Sequence, residues 1–172
     1  LADTMVIMDN GSTVAAGPVE DIMSRLDLRP LTGRYEAGAV FRVRVAGQDK
    51  TYGLTELAFP GGRLWVPALD QPLGYKMRLR IRARDVSLSL SRPLDSSFLN
   101  IVEGKVMEIR SEAGPQTDIL VDVGTPLIAR VTRKSVAAMR LRPGTKVFAL
   151  IKAAAIDRHA MGLGGTRQRH KS

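Results

Sequence analysis

Several stretches of this 172-residue chain carry side chains able to act on a charged ligand. Thr132-Arg133-Lys134-Ser135 places hydroxyls and cations at a junction that reads as strand to helix. Lys152 closes the last apolar run, and Ser96-Ser97-Phe98-Leu99-Asn100 precedes an earlier one. Hydroxyls, free amides and an ammonium with little carboxylate nearby suit a tetrahedral anion. Arg78, Arg80, Arg82 and Arg84 alternate along a further run, a ladder that could line an anionic backbone. Each stretch also has a plainer reading. A Thr or Ser at 132–135 caps the helix. Ser96 to Asn100 is a turn whose side chains bond the local backbone. The ladder is the wet face of a half-buried strand, paired with acids on neighbouring strands. The ladder favours the plain reading, because barrels that read nucleic acid add stacking aromatics and none alternates here.

The inventory excludes much other chemistry. There is no cysteine, so disulfides and thiolate metal sites are ruled out. The histidines, His159 and His170, both lie in a polar tail, so no Ser/His/Asp set can be assembled. No phosphate loop of the G-x-x-x-x-G-K-[ST] form occurs. Gly162-Leu163-Gly164-Gly165-Thr166 lacks both its lysine and a preceding strand. No pair of carboxylates is singled out for acid–base work. Lysine plus arginine exceeds aspartate plus glutamate by 26 − 17 = 9, which fits an anionic partner or a solvated basic surface. No apolar run approaches the ~20 residues that span a bilayer. Leu1-Ala2-Asp3-Thr4 shows no secretory leader, so a cytoplasmic location is expected.

The elements that must position these residues are mostly short strands. Thr4 to Met8 and Thr13 to Ala16 flank the turn Asp9-Asn10-Gly11-Ser12. Pro18 opens a helix whose Val19, Ile22, Met23 and Leu26 recur at helical spacing. Val40 to Val45 alternates as a strand, followed by a turn at 47–49 and strands over 51–57 and 63–67. Met77, Leu79, Ile81 and Ala83 alternate with the arginine ladder. The parity changes afterwards, which predicts a break near Asp85. Strands follow over 101–109, 117–123 and 126–132, then a helix over 133–139, a turn at Arg142-Pro143-Gly144 and a strand over 146–152. No reliable long internal repeat is visible. The pattern predicts a mainly β chain built on small closed barrels of the OB type with one or two short helices.

The motifs now carry a resemblance. Leu1-Ala2-Asp3, the apolar strand after it, Asp9-Asn10-Gly11 and Ala16-Gly17-Pro18 resemble the end of an ABC ATPase domain. Leu64-Trp65-Val66, Pro72-Leu73 and the run from Leu79 to Leu88 are similar to the accessory domain of molybdate-importer ATPases. Ser97-x-x-Asn100, Gly104-Lys105-Val106 and Ala129-Arg130-Val131-Thr132-x-x-Ser135 are similar to the molybdate-binding Mop domain, which is TOBE-like. Leu141-x-Pro143-Gly144 and Ala149-Leu150-Ile151-Lys152-Ala153 extend that match.

The resemblance implies a division into the end of an ATPase domain (1–30), a β-rich accessory region (34–95) and a Mop/TOBE-like domain (96–157); the composition of the remainder predicts a disordered tail (158–172). It implies a non-catalytic regulatory and dimerisation region of the ATP-binding subunit of a molybdate or tungstate importer. ATP and magnesium would belong to a preceding domain, and molybdate or tungstate would be the ligand here. Ser97, Ser135 and Lys152 would contact the oxyanion, with Asn100, Thr132 and Arg133 completing the set. The implied partners are a second copy, with sites between barrels, and a membrane permease that holds the protein at the inner membrane. Nucleic acid is not expected. The family's serine motif is S-A-R-N or S-I-R-N, and its arginine falls on Leu99 here. Weak or absent oxyanion binding is therefore expected, with Leu99→Arg strengthening it. Two other readings are a scaffold for an importer of another solute and an RNA-binding OB module.

Overall fold

A computed structural model describes residues 3–28, 37–111, 114–153, 156 and 161–162 of the chain. The chain opens with a hairpin of β1 (Thr4–Asp9) and β2 (Ser12–Pro18). Asn10 and Gly11 both take positive φ, 47° and 78°, which matches the right-handed twist of the strands they join. Helix α1 (Val19–Ser24) and a 3-10 turn (Leu26–Leu28) follow. Ile7, Ala15, Ile22 and Leu28 close a small core of their own.

The remaining strands form two five-stranded sheets. The first holds β3 (Gly38–Asp49), β4 (Leu54–Phe59), β5 (Gly62–Pro67) and β6 (Lys76–Arg82). The second holds β7 (Val86–Ser89), β8 (Asn100–Ser111), β9 (Gln116–Asp122), β10 (Pro126–Thr132) and β11 (Lys146–Ile151). Helix α2 (Arg133–Ala138) joins β10 to the last turn. Strand β12 (Met161–Gly162) completes the first sheet. The mainly β, OB-like reading holds. The parity break falls where the alternation placed it, as a 3-10 turn over Ala83–Asp85. Strand β4 starts later than its apolar run, because Asp49 Oδ1 accepts the amides of Thr51 and Tyr52 and bends those residues into the turn.

The structure corrects one reading, because it contains an internal repeat. The sheet orders are β12-β6-β3-β4-β5 and β7-β11-β8-β9-β10, the same arrangement twice. Strands β3 and β8 each carry a register shift at the equivalent place, between Val45 and Gly47 and between Val106 and Glu108. The Gly74 amide donates to the Val45 carbonyl at 2.8 Å, and the Gly144 amide donates to the Val106 carbonyl at 2.8 Å. Both glycines take positive φ, 81° and 92°. Val45 and Val106, Leu57 and Val121, and Leu64 and Leu127 are equivalent and fully buried. Other equivalent core positions differ, such as Val66 and Ala129 or Leu79 and Ala149. Burial selects apolar volume there rather than identity, so the repeat leaves little trace in the letters.

The repeats exchange their outer strands. After β6 the chain crosses to place β7 on β11, and Met161 and Gly162 pair back with Leu79 and Arg78 of β6. Consequently β7, inside the expected 34–95 region, hydrogen-bonds within the second sheet. Of the tail expected from 158, only Met161–Gly162 belongs to the described residues, and these form β12. One core runs through both sheets, from Phe41, Leu57 and Leu79 to Ile119, Leu127 and Ile151. The repeats also meet backbone to backbone. A Cβ on Gly61 would lie 1.5 Å from the Val123 carbonyl oxygen, and one on Gly124 would lie 2.5 Å from the Gly61 Cα.

Candidate oxyanion site

The sequence-predicted residues fall into two groups. Asn100 begins β8 opposite Ile151, so Lys152 emerges beside the 97–99 segment. Lys152 Nζ stands 6.0 Å from the Phe98 ring centroid, a cation–π contact that ties the ammonium to this segment. Ser97 and Lys152 are exposed, and so is Leu99 at 57%. Asn100 differs from its neighbours. It is 1% exposed, its Oδ1 accepts the Trp65 amide at 2.6 Å, and its Nδ2 donates to the Trp65 carbonyl at 2.9 Å.

Thr132, Arg133 and Ser135 form the second group, where β10 runs into α2. The Thr132 Oγ1 accepts the Ser135 amide at 3.0 Å and lies 2.8 Å from the Ser135 hydroxyl. This is the helix cap expected of these residues. The Arg133 amide donates to the Pro115 carbonyl at 2.9 Å. Two amides of the imagined cradle are therefore already used, which leaves the hydroxyls and the exposed Arg133 side chain to face solvent.

One chain does not join the groups. Thr132 pairs with Gln116, next to the residue that pairs with Ser111 at the far end of β8. Asn100 is the opposite end of that twelve-residue strand. Measured along the strand, the separation is about 36 Å at ~3.3 Å per residue. Each group holds part of the expected donors, with one cation in each, Lys152 and Arg133.

Sequence reasoning missed a polar joint under the N-terminal unit. Glu20 of α1 accepts Arg42 Nε at 2.9 Å and Arg78 Nε at 3.0 Å, and Arg78 also pairs with Asp3. The ladder was expected to meet acids on neighbouring strands; at Arg78 the acids come from the hairpin–helix unit instead. Burial acts to raise the Glu20 pKa, but hydrogen bonds and charge from Arg42 and Arg78 outweigh it and hold the carboxyl below the usual range. The hydrogen bond to Asp3 leads the causes that raise Arg78. Beyond this joint, Arg110 donates to the Leu26 carbonyl at 2.9 Å. Leu26 packs with Ala37, Ala83 and Ile128, so the unit touches both repeats. No helix among the described residues is long and apolar enough to cross a membrane.

Comparison with known proteins agrees with this architecture. Residues 96–157 match the TOBE domain model. The molybdenum import ATP-binding protein ModC of Aromatoleum aromaticum is 44% identical over 160 residues, 92% of this chain and 42% of that protein. ModC 1 of Azotobacter vinelandii is 45% identical over 159 residues, 91% of this chain and 44% of that protein. ModC of Mesorhizobium japonicum is 39% identical over 165 residues, 95% of this chain and 45% of that protein. The chain thus spans less than half the length of these relatives. It covers their C-terminal, TOBE-bearing part and not their ATPase part. A crystal structure of the cytoplasmic molybdate-binding protein ModG, with molybdate bound, superposes with a TM-score of 0.62. It is 23% identical, and the match covers 72% of this chain and 94% of ModG. That likeness fixes the fold. The chain carries a TOBE domain and, over nearly all its own length, is a relative of the C-terminal part of the ATP-binding proteins named for molybdenum import.

Proposed function

We propose that the chain is the non-catalytic accessory region of an ATP-binding subunit that powers import of molybdate or tungstate, and that it binds the oxyanion. The observation that carries this is the similarity to ModC proteins over more than nine-tenths of the chain. Ser97 and Lys152 would supply a hydroxyl and a compensating charge, and Thr132, Ser135 and Arg133 the remaining donors. Since one copy presents these groups at opposite ends of β8, a second copy completes each site. The parent subunit would couple to a membrane permease and act at the cytoplasmic face of the inner membrane, with ATP and magnesium in its other domain. Sedimentation of the purified chain with and without molybdate tests this. Molybdate should shift a monomer–dimer equilibrium toward the dimer by mass action, and the chain should release no phosphate from ATP. An equilibrium untouched by millimolar molybdate would reject the shared site. Leu99 favours a second reading, a dimer scaffold for another solute's importer, in which the dimer forms without any oxyanion.

A further inference from the structure

Strand β5 ends the hydrogen-bonded order of the first sheet. Trp65 lies on it opposite Glu56, and its amide and carbonyl are taken by the Asn100 side chain. A carboxamide offers one acceptor and one donor in a plane, as a strand does, so one side chain satisfies both backbone groups of an edge residue. The bonds cross from one repeat to the other. They start from the residue that immediately follows Ser97-Phe98-Leu99 and that is paired with Ile151, the neighbour of Lys152.

The lock is present in one repeat only. Ala39 pairs with Ile81 as Asn100 pairs with Ile151, so Ala39 is the equivalent of Asn100. It is as deeply buried, 1% exposed, but has no polar side chain. The repeats are held together elsewhere by the contact of Gly61 with Val123 and Gly124 and by a continuous core, so general cohesion does not require an amide here. The amide stands only in the repeat that carries Ser97 and Lys152.

We propose that Asn100 is a positioning residue rather than an anion ligand: its amide locks the start of β8 to Trp65 of the other repeat and so holds the 97–99 segment beside Lys152. The lock follows from the geometry alone; its effect on a ligand rests on the oxyanion reading above. Loss of the amide leaves the Trp65 backbone pair without its partner, and the segment loses its fixed point.

Trp65 is the only tryptophan in the chain, so its fluorescence reads the lock without any ligand. The test compares wild type with Asn100→Ala by tryptophan emission with acrylamide quenching, by amide exchange, and by molybdate titration. Asn100→Ala should increase quenching of Trp65 and speed exchange at 97–101 by roughly tenfold, with the β6 amides unchanged. Molybdate affinity should fall by about tenfold. Lys152→Ala should reduce molybdate affinity and leave Trp65 emission as in wild type. If Asn100→Ala does not fold, Asn100→Ser, which stays neutral and keeps a polar side chain too short to take both Trp65 groups, is read in the same way for a partial effect. Unchanged quenching and exchange would overturn the lock. A disturbed Trp65 with unaltered molybdate affinity would overturn the positioning role while the oxyanion reading stood. Equal acceleration at β6 would mean that Asn100 serves overall stability only, which also overturns the proposal. Absence of molybdate binding by wild type would reject the oxyanion reading, and the exchange data would still decide the lock.

Discussion

Leu99 stands half exposed between Phe98, which contacts Lys152, and the buried Asn100. An arginine there would add a guanidinium to the segment that Phe98 ties to Lys152. A charge-assisted hydrogen bond contributes roughly 1.5–3 kcal/mol, so Leu99→Arg should tighten molybdate binding by about ten- to a hundredfold. Equilibrium dialysis against molybdate measures this, and equal affinity in both proteins would move the anion elsewhere. At this scale the sequence was partly legible. The exposed Ser97 and Lys152 follow from a motif and from the end of an apolar run. The task of Asn100 does not, because its partner lies thirty-five residues earlier on another strand. The Thr132 cap was legible because its bond closes within three residues.

Among the elements, the N-terminal hairpin and α1 depend most on charge. Glu20 binds Arg42 and Arg78, and its pKa is lower in the folded chain than when free. Its contribution is therefore present above the unfolded carboxyl pKa and disappears as pH falls through the depressed folded value. The protection of α1 amides, taken relative to their intrinsic exchange rate at each pH, should fall in acid over that interval while the buried strands β9 and β11 stay protected. Glu20→Gln should weaken the docked unit by about 1–2 kcal/mol at neutral pH and remove that part of the pH dependence. Protection of α1 that is insensitive to both changes would show that Ile22 and Leu26 hold the unit without the ion pairs. Alternation read the strands well, since each half-buried strand writes its own period. The partners of the arginine ladder were not readable in that way. The acids that meet Arg78 arrive from the N-terminal unit, at a separation of 58 residues for Glu20.

For the whole molecule the exchange of β7 and β12 matters most. The family model begins at residue 96, whereas the second sheet takes its edge strand from 86–89. A fragment of residues 96–157 would lose β7 from β11, the Asn100 bonds to Trp65 and half of the shared core. It should show no cooperative thermal transition by circular dichroism, in contrast to the full chain. A fragment that melts as sharply as the full chain would show that the repeats are independent. The duplication was hidden from the letters because equivalent core sites differ while the turns and bulges agree. The claim that joins all scales is that the β8–β11 end of this barrel holds an oxyanion. Calorimetric titration of molybdate into the chain and into Lys152→Ala tests it most directly. The account predicts weak, saturable heat from the native chain and none from Lys152→Ala. Identical titrations for both proteins, or no saturable heat from the native chain, would contradict it.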